Sequence, residues 1–195
     1  MRKLLTTLFT VLITTMVSAQ TGSGHIEFKG VPVDGALNEF VANMESAGFK
    51  TEGIKDGIAV LRGDFAGEKN CKINVITLMP QNLVNKITVY FPAPNSWADL
   101  HGTYSKLKLF LTEKYGAPHM CVEKFLAYSV PETDMNKMMY ARIGKCNYVT
   151  SFAVPNGYVN LSIYSGEMQT EPCVKLVYAD NENSEIIRQQ IMDDL

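Results

Sequence analysis

Apolar positions along the chain change period several times, and each change marks an element. Leu37, Phe40, Val41 and Met44 recur at the three-and-four spacing of a helical stripe. Asp34 stands where an N-cap is needed, and Gly48 supplies a stop. The clearest periodicity follows Ser96. Asp99, three residues on, completes a pair resembling a capping box, and Trp97, Leu100, Tyr104, Leu107 and Leu111 then repeat until Gly116 and Pro118 end the run. Such a stripe requires an apolar surface to pack on. A third helix is predicted from Ser184, presenting Ile187, Ile191 and Leu195.

Between these segments the period is two, the pattern of antiparallel strands with one dry face and one wet face. Ile87, Val89 and Phe91 alternate with Lys86, Thr88 and Tyr90, and Val159, Leu161 and Ile163 alternate with Asn160, Ser162 and Tyr164. Asp56-Gly57 and Asn156-Gly157 accept positive φ and stand between strand-like runs, as hairpins require. Further strands are predicted at 72–79, 119–127, 138–144, 147–154 and 174–179. The pattern predicts an α+β fold whose helices pack on one face of an antiparallel sheet.

A shift of 88 residues lays Val89-Tyr90 on Val177-Tyr178, Asn95-Ser96 on Asn183-Ser184, and Ile73 and Val75 on Leu161 and Ile163. It predicts an internal duplication with halves at roughly 25–96 and 97–195, the methionine-rich segment Met135 to Met139 lying in an insertion of the second. A helix followed by an antiparallel meander, occurring twice, resembles the tandem repeat of the β-lactamase inhibitor proteins and related small exported bacterial modules. The resemblance lies in element order and carries over no binding residues. It implies a protein that binds rather than catalyses, with inhibition of an exported enzyme as one form of that activity.

Composition adds a compartment. Arg2 and Lys3, the apolar stretch from Leu4 to Val17, and Val17-Ser18-Ala19 read as a cleavable leader over residues 1–19, which predicts export to the periplasm or beyond and a single module over 20–195. The apolar runs are shorter than the ~20 residues of a membrane span. Without Arg2 and Lys3, 16 basic side chains face 20 acidic ones, a net charge of −4 that argues against electrostatic binding of nucleic acid or anionic membrane. Four cysteines in an oxidising compartment predict two disulfides, with Cys121–Cys146 and Cys71–Cys173 the favoured pairing. No Cys-x-x-Cys motif is present, and His25, His101 and His119 are scattered, so no metal site is predicted.

Catalytic and cofactor motifs are also lacking. There is no nucleophile elbow and no glycine-rich phosphate cradle. His101 beside Asp99, and His119 two residues before Cys121, are the weak candidates for base and activated thiol. The acidic residues Asp180, Glu182, Glu185, Asp193 and Asp194 read as helix-terminus and solubilising charges. No cofactor is implied, and an enzyme would need an unfamiliar site. The leading expectation is a non-catalytic binding module for a protein or envelope component. Its candidate surface is the wet sheet face with Lys86, Thr88, Tyr90, Asn160, Ser162, Tyr164 and Lys175, where tyrosines bring large contact area at small entropic cost. Met138 and Met139 form a second candidate, because methionines adapt to varied apolar partners.

Overall fold

The computed structural model describes residues 24–79, 82–128, 130–166, 169–193 and 195, so the leader reading falls outside the described residues. A short ribbon, β1 (Glu27–Phe28) with β2 (Val31–Pro32), precedes helix α1 (Leu37–Ser46). A meander follows: β3 (Lys50–Lys55), β4 (Ile58–Phe65), β5 (Glu68–Leu78) and β6 (Leu83–Tyr90). Helix α2 (Trp97–Tyr115) leads to β7 (Met120–Phe125), α3 (Asp134–Arg142), β8 (Cys146–Val154), β9 (Gly157–Gly166), β10 (Gln169–Asp180) and α4 (Glu182–Asp193). The eight longer strands form one antiparallel sheet in the order β3-β4-β5-β6-β10-β9-β8-β7, so the two meanders meet along β6 and β10. The fold is α+β, as the periods predict.

Helix α2 forms where its signals place it. The Ser96 hydroxyl accepts from the Asp99 amide at 3.1 Å and donates to the Asp99 carboxylate at 2.6 Å. Gly116, at φ 84°, closes the last turn, and all five residues of the Trp97 to Leu111 stripe are buried. The stripe joins one core with Phe40 and Met44 of α1 and with the strand residues Leu61, Val89, Leu161 and Leu176. Within it the Tyr104 hydroxyl bonds Thr150 Oγ1 at 2.6 Å, which satisfies the two buried hydroxyls mutually.

Three helix expectations need correction. Ala36, not Asp34, holds the N-cap of α1 and makes no side-chain bond; Asp34 instead accepts from Asn183 Nδ2 at 2.8 Å, a partner distant in sequence. Residues 138–144 were predicted as a strand, but 134–142 is α3, capped by Thr133, which accepts from the Asn136 amide at 3.2 Å. A short apolar run fits either period, and here Met138 and Ala141, three apart, are the buried pair. Helix α4 runs from Glu182 to Asp193, so Leu195 lies beyond it, and Ile191 and Leu195 are 56% and 96% exposed and do not face the core.

Both predicted hairpins form. Asp56 and Gly57, at φ 50° and 73°, join β3 to β4. Gly157 answers a different need: a Cβ there would meet the Ala179 carbonyl oxygen at 2.3 Å, so β9 can approach β10 only without a side chain.

Sheet register bears on the 88-residue shift. Ile73 and Val75 share the core face with Leu161 and Ile163, as the shift requires. Val89, however, is core-facing opposite Leu176, whereas Val177 lies opposite Thr88 on the other face. Tyr90 is thus on the open face, while Tyr178 packs in the core against Phe28 at 5.3 Å. The Val-Tyr match therefore pairs positions of opposite orientation.

The cysteines are free, which overturns the disulfide expectation. Cys121 opposes Thr150 and Cys146 opposes Phe125, four residues apart along the β7–β8 ladder. At ~3.4 Å per residue this is ~13 Å, about twice the Cα separation that a disulfide spans. Cys71 lies in the core, while Cys173 stands opposite Tyr164 on β10, with β6 between their strands. Burial pushes the Cys71 thiol up to about 11 and the Cys146 thiol up to about 12, which keeps both protonated and unreactive at neutral pH. A thiol reagent is expected to label exposed Cys121 first in the native protein, with Cys71, Cys146 and Cys173 labelled only on unfolding. Peptide mass spectrometry distinguishes these outcomes, and rapid native labelling of Cys71 or Cys173 contradicts this packing.

Candidate binding site on the open sheet face

Ladder register aligns the outward residues of five strands, β5-β6-β10-β9-β8, in three rows. Lys72, Tyr90, Lys175, Ser162 and Val149 lie opposite one another in the first. Asn74, Thr88, Val177, Asn160 and Ser151 form the second, and Ile76, Lys86, Ala179, Tyr158 and Ala153 the third. Ten of these fifteen residues line an open concavity of about 520 Å³; Lys72, Asn74, Ser151, Ala153 and Ala179 do not. Of the seven wet-face residues expected from alternation, Lys86, Thr88, Tyr90, Asn160, Ser162 and Lys175 line it.

Tyr164, the seventh, stands beside it. Its ring centroid is 5.8 Å from that of Tyr90, and Lys175 Nζ lies 4.0 Å over the Tyr164 ring. Burial, opposed by Cys173 and reinforced by Lys86, holds the Lys175 ammonium below the usual lysine value. Burial, with Tyr164 and Cys173, raises the Tyr90 phenol. Tyr90 is only 7% exposed and Thr88 and Ser162 are also buried, although they lie on the face away from the core cluster.

Toward the sheet edge lies a second hollow of about 560 Å³, lined by Lys72, Asn74, Val60, Ile54 and Ile58 among others and sharing no lining residue with the first. Asn74 is 4% exposed, and its buried amide oxygen has no hydrogen-bond partner among the described residues, as is also true of Asn85 Oδ1. A buried polar group left unpaired costs stability and calls for an explanation. Lys72 and Asn74 were not singled out in the sequence, although both alternate with core-facing Ile73 and Val75 and so were legible by the same rule.

Lys72, Lys86 and Lys175 make no ion pair among the described residues, where other lysines do: Lys106 with Glu68, and Lys108 with Glu123 at 2.5 Å. Carboxylates at the rim of the second hollow are engaged. Glu52 is bonded by Arg62 at 2.5 and 3.2 Å, which with the nearby charge of Lys72 holds its carboxyl below the usual carboxylate range, and Asp56 lies 3.9 Å from Lys55.

The remaining candidates do not join this surface. Met138 is buried beneath α3, while Met139 is exposed on that helix. His101 packs against the Trp97 and Tyr148 rings at 5.5 and 5.8 Å, and the Asp99 carboxylate is taken by Ser96. His119 and Cys121 share no bond among the described residues; the Cys121 sulfur lies 3.5 Å from Thr150 Oγ1 and 3.7 Å from a Glu123 carboxylate oxygen. No cluster of three metal-ligating side chains occurs among the described residues.

A second polar constellation is buried near the end of β10, around Asp180, which serves α4 as the helix-terminus acid that the sequence predicts and also makes long-range bonds that it does not. The Asp180 carboxylate accepts from the amides of Ile26 and Glu182 at 2.9 Å and of Asn183 at 3.3 Å, with His25 Nδ1 at 3.2 Å. His25 Nε2 lies 3.3 Å from Asp34. Burial opposes ionisation of Asp34, but bonds from Asn183 and the Gly35 backbone, with His25, hold its carboxyl below the usual value. Two of the Asp180 contacts cap the first turn of α4 and two tie the end of β10 to the segment before β1, which is a structural use of these groups.

No protein-family model, curated protein or solved structure matches the chain significantly.

Proposed function

We propose that the chain acts outside the cytoplasm as a binding module whose site is the concave outer face of the sheet. The observation that carries this reading is the convergence of Lys86, Tyr90, Lys175 and the polar residues between them on one open hollow, where the two lysines make no ion pair among the described residues, next to a second hollow lined by the unpartnered Asn74 amide oxygen. Groups held in that condition favour a ligand that completes them. The volume lies within the range of small-ligand sites, roughly 300–1,000 Å³. Binding is favoured over turnover because Lys175, the cation directly opposite Ser162, directs its ammonium onto the Tyr164 ring, and no hydrogen bond joins the lysine to the Ser162 hydroxyl among the described residues.

An occluding substitution tests the site without assuming a ligand class. Asn160→Trp fills the middle row from a half-buried position and is expected to leave the melting temperature within a few degrees. It is also expected to abolish the amide shifts that small-molecule fragments cause at Lys86, Ser162 and Lys175 in heteronuclear NMR spectra. Fragments that perturb only other surfaces, or that bind the Trp variant unchanged, remove this face from consideration.

A further inference from the structure

We infer that the ligand of this face is an acidic sugar: a hexuronic acid, free or as a unit of an acidic polysaccharide, whose carboxylate is held by lysines and whose hydroxyls complete the polar rows. The inference rests on the binding reading above and adds the chemical class.

Three independent features point to it. The first is charge. In a chain with 18 basic and 20 acidic residues, Lys86 and Lys175 line one concave surface with no ion-pair partner among the described residues and act on each other's charge. Lys72, across Tyr90 from Lys175 in the same row, is offset in part by Glu52. Like charges held close on a half-buried surface repel one another, and an anion seated between them removes that repulsion. The second is the unpartnered acceptor. The Asn74 amide oxygen sits beside Lys72 in the lining and requires a donor, which an anion alone does not supply. A hydroxyl on the same ligand does, and the buried Thr88 and Ser162 hydroxyls offer further pairing of this kind. The third is the aromatic pair. Tyr164, partly exposed beside buried Tyr90, carries the Lys175 ammonium over its ring, which holds that cation at the edge of the hollow where a carboxylate can meet it. Adjoining hollows of about 520 and 560 Å³ give room for more than one sugar ring.

The test titrates the isotope-labelled full chain with galacturonate, with short galacturonate oligomers, with neutral galactose oligomers and with an acidic peptide, each at low and high salt. Galacturonate oligomers are expected to shift the amides of Lys72, Lys86 and Lys175, to bind at least about tenfold more tightly than the neutral oligomers, and to weaken with salt. Lys86→Gln and Lys175→Gln are each expected to lower affinity about tenfold. Asn74→Leu is expected to weaken binding several-fold without lowering the melting temperature, because it deletes an acceptor with no partner in the free protein. A free sugar acid as the ligand gives equal affinity per site for monomer and oligomer; a polysaccharide gives affinity rising with length. Equal binding of neutral oligomers, or tighter binding of the acidic peptide at the same amides, overturns the sugar class and leaves the binding face standing. Amide shifts at this face from none of the four, with unrelated fragments also silent there, overturn both.

Discussion

Asp180→Ala is expected to destabilise the protein by about 3–5 kcal/mol, the largest effect of any single polar substitution considered. The side chain is fully buried, and its two oxygens accept from three backbone amides and from His25. Removing it strands those donors away from water, where each unmade bond costs roughly 1–3 kcal/mol before relaxation. Two of the amides belong to the first turn of α4, whose Ile191 and Met192 are exposed, so this carboxylate is a principal anchor of that helix. The third belongs to Ile26, which ties the segment before β1 to the end of β10. Loss of the carboxylate should therefore loosen both chain ends together. Denaturant titration gives the free energy, and amide exchange at 182–193 shows whether α4 is released. Asp180→Asn keeps one acceptor and is expected to lose less. An alanine variant within about 0.5 kcal/mol of wild type would falsify the anchoring role.

Leu100→Ala is expected to cost about 2–5 kcal/mol, whereas Leu109→Ala on the same helix should stay within about 0.5 kcal/mol. Both substitutions delete the same atoms and carry the same helix propensity change. They differ in placement: Leu100 is fully buried within the core, and Leu109 is 57% exposed. The cost at Leu100 combines lost transfer free energy with a cavity that the surrounding Trp97, Tyr104 and strand side chains fill only in part. Paired unfolding curves measure the difference, and similar midpoints for the two variants would mean that α2 does not seal the sheet through this stripe.

Much of the architecture was legible because it follows local rules. Ser96 with Asp99 starts a helix whose stripe can be counted residue by residue, and alternation in 86–91 and 159–164 separates core side chains from outward ones. The candidate site was legible for the same reason: a strand with one dry face must present the other, so Lys86, Tyr90, Ser162 and Lys175 were nameable before their neighbours were known. Alternation does not say which strands adjoin. That β6 pairs with β10, bringing Lys175 beside Tyr90 and Lys72 beyond it, follows from a ladder between residues far apart in the chain.

What the sequence by itself determined is the α+β class, the helix α2, the two hairpins and the wet face of each strand, since each depends on contacts within a few residues. Tertiary structure alone decided the rest. The Val-Tyr match between halves fails because one residue of register exchanges the two faces of a strand, and the cysteines stay unpaired because the sheet holds their strands and faces apart. Asp34 leaves its local cap for Asn183, and Asp180 joins both chain ends, because buried donors take whichever acceptor the packed chain brings near. Such long-range satisfaction has no spacing to read, and the same holds for the unpartnered Asn74 oxygen that gives the open face its chemistry.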